Sequence, residues 1–238
     1  MIWSDAGVVI SCKKYGEKYK IVNIFTQAHG NVAGMISHQK THPLVVFSCV
    51  DVSWSSNREG ALGFWSVQKE KQNWIFSMNN QASVIASQSI CLLLDKILPL
   101  GVCYQILFEF VEYFASNMYE FSSLEVLNLY AYFELLLLTS VGYGIDTKKC
   151  SICGKKEDLH YISPKTGRGA SRLCIPYDCF DKLFKIPEVW QLWQNNDFSR
   201  INKEEIKNSL NITGHFIEKN IIRNENYFRD SMVAMLAA

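Results

Sequence analysis

The first 75 residues set apolar and polar positions in short, mostly alternating runs. Residues 7–11 are brief and β-branched, and residues 19–26 alternate over most of their length. In the second run Tyr19, Ile21 and Phe25 share one face, and Lys20, Val22 and Ile24 share the other. Residues 31–36, 47–55 and 64–67 add three more candidate strands. Turn formers separate them: Lys14-Tyr15-Gly16, His29-Gly30-Asn31 and Ser56-Asn57-Arg58-Glu59-Gly60. Five short strands in so little chain predict a small closed barrel of the OB type rather than an open sheet. An SH3-like barrel gives a similar pattern, and strand counting alone does not separate the two.

From residue 82 the period becomes helical. Residues 82–98 form one candidate, stopped by Pro99. Leu107, Phe110, Val111, Phe114 and Met118 fall on one stripe of a second. Ser122 or Ser123 is positioned to cap a third, residues 124–141, which is apolar nearly all round and therefore predicts the buried centre of a bundle. Gly142 and Gly144 end it. A last helix spans 203–222, with Ile206, Leu210, Thr213, Ile217 and Ile221 on one face. Between the helices lies an irregular basic stretch, 146–189, which reads as an excursion from the helical domain. The expected architecture is α+β: a barrel over 1–80, a helical domain over 81–145 and 190–238, and a cysteine module over 146–189 inserted in it.

Composition refines this picture. The chain has 238 residues, 48% hydrophobic and 20% charged, with a net charge of +1. It is a folding chain with no global pull towards nucleic acid or membrane. Charge is instead distributed in blocks: +3 over 1–75, −6 over 76–146, +4 over 147–190, and zero beyond. The N-terminus lacks a basic n-region, and the most apolar run is shorter than the roughly 20 residues that span a bilayer. The reading is a cytoplasmic protein, in which eight cysteines mean thiols or metal rather than disulfides.

Four of those cysteines carry the clearest chemistry. Cys150 and Cys153 are separated by two residues, and Cys174 and Cys179 by four. Two short-spaced pairs on turns bring four thiolates to one tetrahedral Zn2+. Lys148, Lys149, Lys155 and Lys156 around the first pair would favour the thiolate. The bland alternative keeps Cys150 and Cys153 as a knuckle and makes Cys174 and Cys179 ordinary small residues; a redox Cys-x-x-Cys is a third reading. Cys12, Cys49, Cys91 and Cys103 lie in strand or helix patterns and read as packing residues.

No phosphate loop, histidine-rich metal pattern or nucleophile elbow is present. The five histidines are scattered and read as turn or surface residues. Glu109, Glu112, Glu120, Glu125 and Glu134 read as solvated or capping positions. A binding protein is therefore favoured over an enzyme. Basic residues lie where a nucleic-acid platform would want them. Lys13, Lys14, Lys18 and Lys20 flank the first turn, Lys40 and Arg58 lie in later loops, and Lys149, Lys165, Arg168 and Arg172 lie in the excursion. Tyr15, Trp54 and Trp65 are candidates for stacking on bases. Taken singly, each Lys also fits a solvated face and each Trp a core position. The expected surface unites the barrel lysines with those of the cysteine module.

These residues resemble a known family. Gly7-Val8-Val9-Ile10, Tyr15-Gly16-Glu17, Phe25-Thr26 and His29-Gly30 are similar to the opening of the RecO family of bacterial recombination mediators. Phe133-Glu134-Leu135-Leu136-Leu137-Leu138, Gly142-Tyr143-Gly144-Ile145-Asp146 and Cys150-Ser151-Ile152-Cys153-Gly154 resemble its central helix and zinc-finger region. Tyr161-Ile162-Ser163-Pro164-Lys165-Thr166-Gly167-Arg168 with Pro176-Tyr177 resembles the alphaproteobacterial branch. The resemblance implies an N-terminal OB-fold, binding of single- and double-stranded DNA, and annealing of complementary strands. It also implies partnership with RecR and with the tail of single-stranded-DNA-binding protein, so that RecA loads in the RecF pathway of DNA repair, on the nucleoid. The chain departs from the family in Ser37-His38-Gln39-Lys40, which is poorer in charge than the usual loop, and in the wider spacing of its second cysteine pair. The rival readings are a zinc-knuckle protein of an RNA or transcription pathway and a thiol oxidoreductase using Cys150 and Cys153.

Overall fold

The alternating N-terminal runs become five strands: β1 (Ile2–Tyr15), β2 (Tyr19–Thr26), β3 (Gly30–Ser37), β4 (Cys49–Ser55) and β5 (Gly63–Glu70). In this computed structural model residues 1–37, 44–58, 60–70, 80–200, 202–221 and 227–237 are described. The strands close into a barrel in the order β1-β2-β3-β5-β4. All pairs are antiparallel except β3 with β5, which join in parallel at Gly34↔Gly63 and Met35↔Phe64. That crossover is the OB arrangement and decides between the two barrels the sequence allowed. β1 is far longer than residues 7–11. It pairs with β4 from Ile2 to Val8 and with β2 from Gly7 to Tyr15, shifting register between Val9 and Ser11. Such an irregularity lets one strand bend through two sides of a barrel.

The interior is filled by Val9, Val22, Ile24, Ile36, Val50, Val52, Trp54 and Trp65. Both indoles find carbonyl partners inside: Trp54 Nε1 donates to Ala33 at 3.3 Å and Trp65 Nε1 to Val22 at 3.1 Å. Two glycines make room for them. A Cβ on Gly34 would lie 2.6 Å from the Trp65 ring, and one on Gly63 would lie 2.3 Å from the Trp54 ring.

Helices α1 (Gln81–Ile97) and α2 (Gln105–Asn117) pack on the outside of the barrel. Asn80 caps α1 by accepting from the Ala82 amide at 3.0 Å. Near its other end Asp95 accepts from Asn23 of β2 and pairs with Lys13 of β1 at 3.4 Å. Phe25 meets Phe108 of α2 edge-on at 5.6 Å, which explains why both faces of β2 are apolar. Helix α3 (Ser123–Ser140) opens on a capping box: the Ser122 amide donates to Glu125 at 2.7 Å, and the Glu125 amide donates back to Ser122 Oγ at 3.4 Å.

The chain divides into two compact units, Met1–Val126 and Leu127–Ala238. In the second, Leu127, Tyr130, Phe133, Leu137 and Leu138 of α3 are buried, as are Ile206, Leu210, Thr213 and Ile217 of α5 (Lys203–Asn220). The excursion is more ordered than its sequence suggests. It holds a three-stranded sheet, β6 (Leu159–Ile162), β7 (Gly169–Ser171) and β8 (Phe184–Lys185), in the order β7-β6-β8. Strands of two to four residues are too short to show alternation. Two further helices escape the periodicity, α4 (Val189–Gln194) and α6 (Tyr227–Ala237), so the helix at 203 is not the last. Glu134, read from sequence as solvated or capping, is 1% exposed. It accepts from Thr213 Oγ1 and from Tyr130 OH, and pairs with Arg229 of α6. Among the described residues no helix is long and apolar enough to cross a membrane.

Candidate functional site

Sequence places Cys150 on a tight knuckle. Gly154, at φ +76°, lets the chain reverse, so that the Gly154 amide reaches Cys150 O at 2.9 Å and the Cys150 amide reaches Lys155 O at 2.7 Å. A hydrogen bond from Ser151 N to Gly169 O at 2.9 Å fastens the knuckle beside β7. The 3₁₀ turn Arg172–Cys174 follows β7 directly and delivers the third thiol. The Sγ atoms of Cys150, Cys153 and Cys174 all lie within 4.8 Å of one another.

Cys179 does not join them. The Ile175 and Pro176 backbones are extended, and carry the chain on to a second 3₁₀ segment, Tyr177–Lys182, which holds Cys179 outside the group. The structure thus assembles three of the four expected thiols. No fourth Cys, His, Asp or Glu ligand atom among the described residues lies within 4.8 Å of all three.

The electrostatics suit a cation. Backbone amides of Cys153 and Ser171 hold the Cys150 thiol down at about 6, helped by Ile152. The Ser171 and Ile152 amides lie 3.3 and 3.4 Å from its sulfur. The lysines of the knuckle are not the cause. Cys174, which hydrogen-bonds Cys153 and is partly buried beside Cys150, is pushed up to about 11. The thiolate is thus favoured at Cys150 and disfavoured at Cys174. Tetrahedral zinc, with Zn–S bonds of about 2.3 Å, sets sulfur separations near ~3.8 Å, a size this cluster accommodates. Cys150, Cys153 and Cys174 fit such an ion as three of its ligands. Of the cysteines read as packing residues, Cys49 and Cys91 are buried and Cys12 is half-buried, but Cys103 is exposed and donates to Gln27 O.

The basic candidates fall on both units. In the first, Lys13, Lys14, Lys18 and Arg58 are exposed and Lys20 is half-buried. Lys14 and Lys20 face each other across the β1–β2 hairpin. Lys13 is committed in part to Asp95. In the second, Lys149, Lys165, Arg168 and Arg172 are all exposed. Lys40 lies outside the described residues. Trp54 and Trp65 are not stacking surfaces, because both are barrel core. Tyr15 is exposed, and so are two aromatics the sequence reading passed over, Tyr19 and Phe64. Their outward position follows from the strand alternation that buries Val22 and Trp65.

The fold and site define an OB-barrel protein joined to a helical unit that carries a cysteine knuckle. Residues 1–69 match the family described as Recombination protein O N terminal, and residues 82–225 match Recombination protein O C terminal. The chain belongs to the recombination protein O family. It is 31% identical to a protein named DNA repair protein RecO from Ehrlichia chaffeensis, over 95% of this chain and 93% of the relative. A relative of the same name from Wolbachia pipientis subsp. Culex pipiens is 32% identical over 92% and 91%. Another from Cereibacter sphaeroides is 28% identical over 93% and 90%.

Proposed function

We propose that the protein is a non-enzymatic mediator of homologous recombination in DNA repair, working in the cytoplasm at the nucleoid. The observation that carries this reading is the OB barrel whose β1–β2 hairpin presents Lys14, Lys18 and Lys20. Family membership supplies the DNA-repair context. These lysines, with Arg58, neutralise backbone phosphates of single- or double-stranded DNA. Lys149, Lys165, Arg168 and Arg172 offer a second basic set around the knuckle. Neutralising two strands removes the repulsion that keeps complementary bases apart, and annealing follows.

The division of labour in this reading is a barrel over 1–80 that grips DNA, a helical domain over 81–145 and 190–238 that receives partners, and the module over 146–189. Cys150, Cys153 and Cys174 would hold Zn2+, which cross-links a stretch with little apolar core of its own. The partners are RecR and the acidic, hydrophobic tail of single-stranded-DNA-binding protein, so that RecA loads on the uncovered strand of the RecF pathway. A cavity of about 500 Å3 supports a seat for that tail. Ile186, Pro187, Val189 and Leu192 supply apolar walls for the hydrophobic residues of the tail, and the charged groups of the lining are Arg200, Glu188 and Glu205.

The test is strand annealing by purified protein, with binding measured against salt. Annealing of complementary DNA and a log-affinity that falls linearly with log-salt support the reading. A flat salt response, or a preference for RNA without DNA annealing, overturns it.

A further inference from the structure

The outward face of the barrel near the β1–β2 hairpin holds an aromatic surface that the core does not need. Tyr15 and Tyr19 are cross-strand partners, so their side chains leave the ribbon on the same side. Tyr19 pairs onward with Ser37 of β3, Ile21 with Met35, and Met35 with Phe64 of β5. These pairings lay one surface across four strands. The Tyr19 and Phe64 rings meet edge to face at 6.0 Å and 65°, which steadies both. Yet Tyr15 is 55% exposed, Tyr19 36% and Phe64 46%. Lys18 stands in the turn between Tyr15 and Tyr19, with Glu17 as its acid; Lys13 shares the face of the rings and is paired in part with Asp95, while Lys14 and Lys20 leave the ribbon by the other face.

Exposed rings at a hairpin edged by Lys18 and, on its other face, by Lys14 and Lys20 match a polyanion with open π-faces. Single-stranded DNA has both; duplex DNA offers the phosphates but keeps its bases stacked inside. We propose that Tyr15, Tyr19 and Phe64 form a stacking platform for unpaired bases, by which the barrel discriminates single-stranded from double-stranded DNA. The lysines register phosphate in either form and set the salt dependence. The rings register whether a base is free to stack. This rests on the DNA-binding reading above and assigns the groups within it that sense strand state.

The test compares three probes of equal length by fluorescence anisotropy: oligo-dT, an abasic single strand and a duplex. The full-length protein is expected to bind oligo-dT about tenfold or more tighter than the abasic strand, since each base stack is worth roughly that factor. Y15A/Y19A/F64A closes this gap, with the salt slope and duplex affinity unchanged. Tyr19→Trp keeps the gap. If the triple variant does not fold, Tyr15→Ala alone, at the most exposed ring, must narrow it. A gap that persists in the folded variants, or an equal loss on all three probes, overturns the platform. Failure of the unaltered protein to bind any probe overturns the DNA-binding reading itself.

Discussion

Arg229 fills the space that a side chain at position 214 would need: a Cβ built on Gly214 would lie 1.3 Å from Arg229 Nη1. The guanidinium slides over this bare stretch of α5 to reach Glu134 of α3, with Nε 3.4 Å from Oε1. Both side chains are at least nine-tenths buried, so the pair is a charged clasp on α6.

Gly214→Ala separates two opposing effects. Helix propensity alone would stabilise α5 by about 1 kcal/mol. Displacement of Arg229 outweighs it, and the expected outcome is a net loss of roughly 1–3 kcal/mol in denaturant unfolding. Glu134→Gln strands the buried guanidinium and costs more, about 3–5 kcal/mol. A neutral or stabilising Gly214→Ala would show that α6 does not dock as described.

Metal stoichiometry tests the thiol cluster. Cys150→Ser and Cys174→Ser are expected to lose bound zinc and lower the melting temperature. Cys179→Ser should retain both, because Cys179 lies outside the cluster. Inductively coupled plasma analysis of the three variants gives the answer, and zinc loss in Cys179→Ser would mean a four-thiol site.

The start of α3 should respond to acid. Hydrogen bonds from the Ser122 hydroxyl and amide hold the Glu125 carboxyl below the usual glutamate range. A depressed carboxyl contributes stability above its unfolded value and loses it as pH falls through the folded one. Glu125→Gln should therefore lower stability at neutral pH and leave it nearly unchanged at pH below the folded value. Urea midpoints of both proteins across the acid range test this, and parallel curves would refute it.

Basic residues on the barrel should separate by their neighbours. Lys14→Ala and Lys18→Ala should each reduce the DNA salt slope by about one. Lys13→Ala should change it less, because Asp95 already neutralises that lysine in part. Equal effects at the three positions would show that the Asp95 pair opens on binding.

Legibility followed the length and locality of each signal. β2 reads residue for residue as Tyr19–Thr26 because its alternation is long and Gly30 punctuates its end. Of the two caps the sequence offers for α3, Ser122 is the one used, and its exchange with Glu125 appears only in the structure. Trp54 and Trp65 misled because an aromatic beside lysines looks like a stacking residue, whereas Gly34 and Gly63, distant in sequence, make the cavities that take the indoles. Spacing carries no backbone angle, so the sequence does not show that the extended Ile175 leads into a second 3₁₀ segment, Tyr177–Lys182, on which Cys179 stands apart from the three grouped thiols. Glu134 looked like an ordinary helix carboxylate because its partner Arg229 lies 95 positions later in a helix with a weak pattern.

The parallel seam of the barrel has a dynamic consequence. Every other adjacent pair of strands is zipped through six or more register positions, whereas β3 and β5 share two among the described residues. That junction is the clasp at which the ring breathes first, and amide hydrogens flanking Gly34 and Gly63 should exchange ahead of those on β1 and β2. Each such opening briefly uncovers the indole of Trp65.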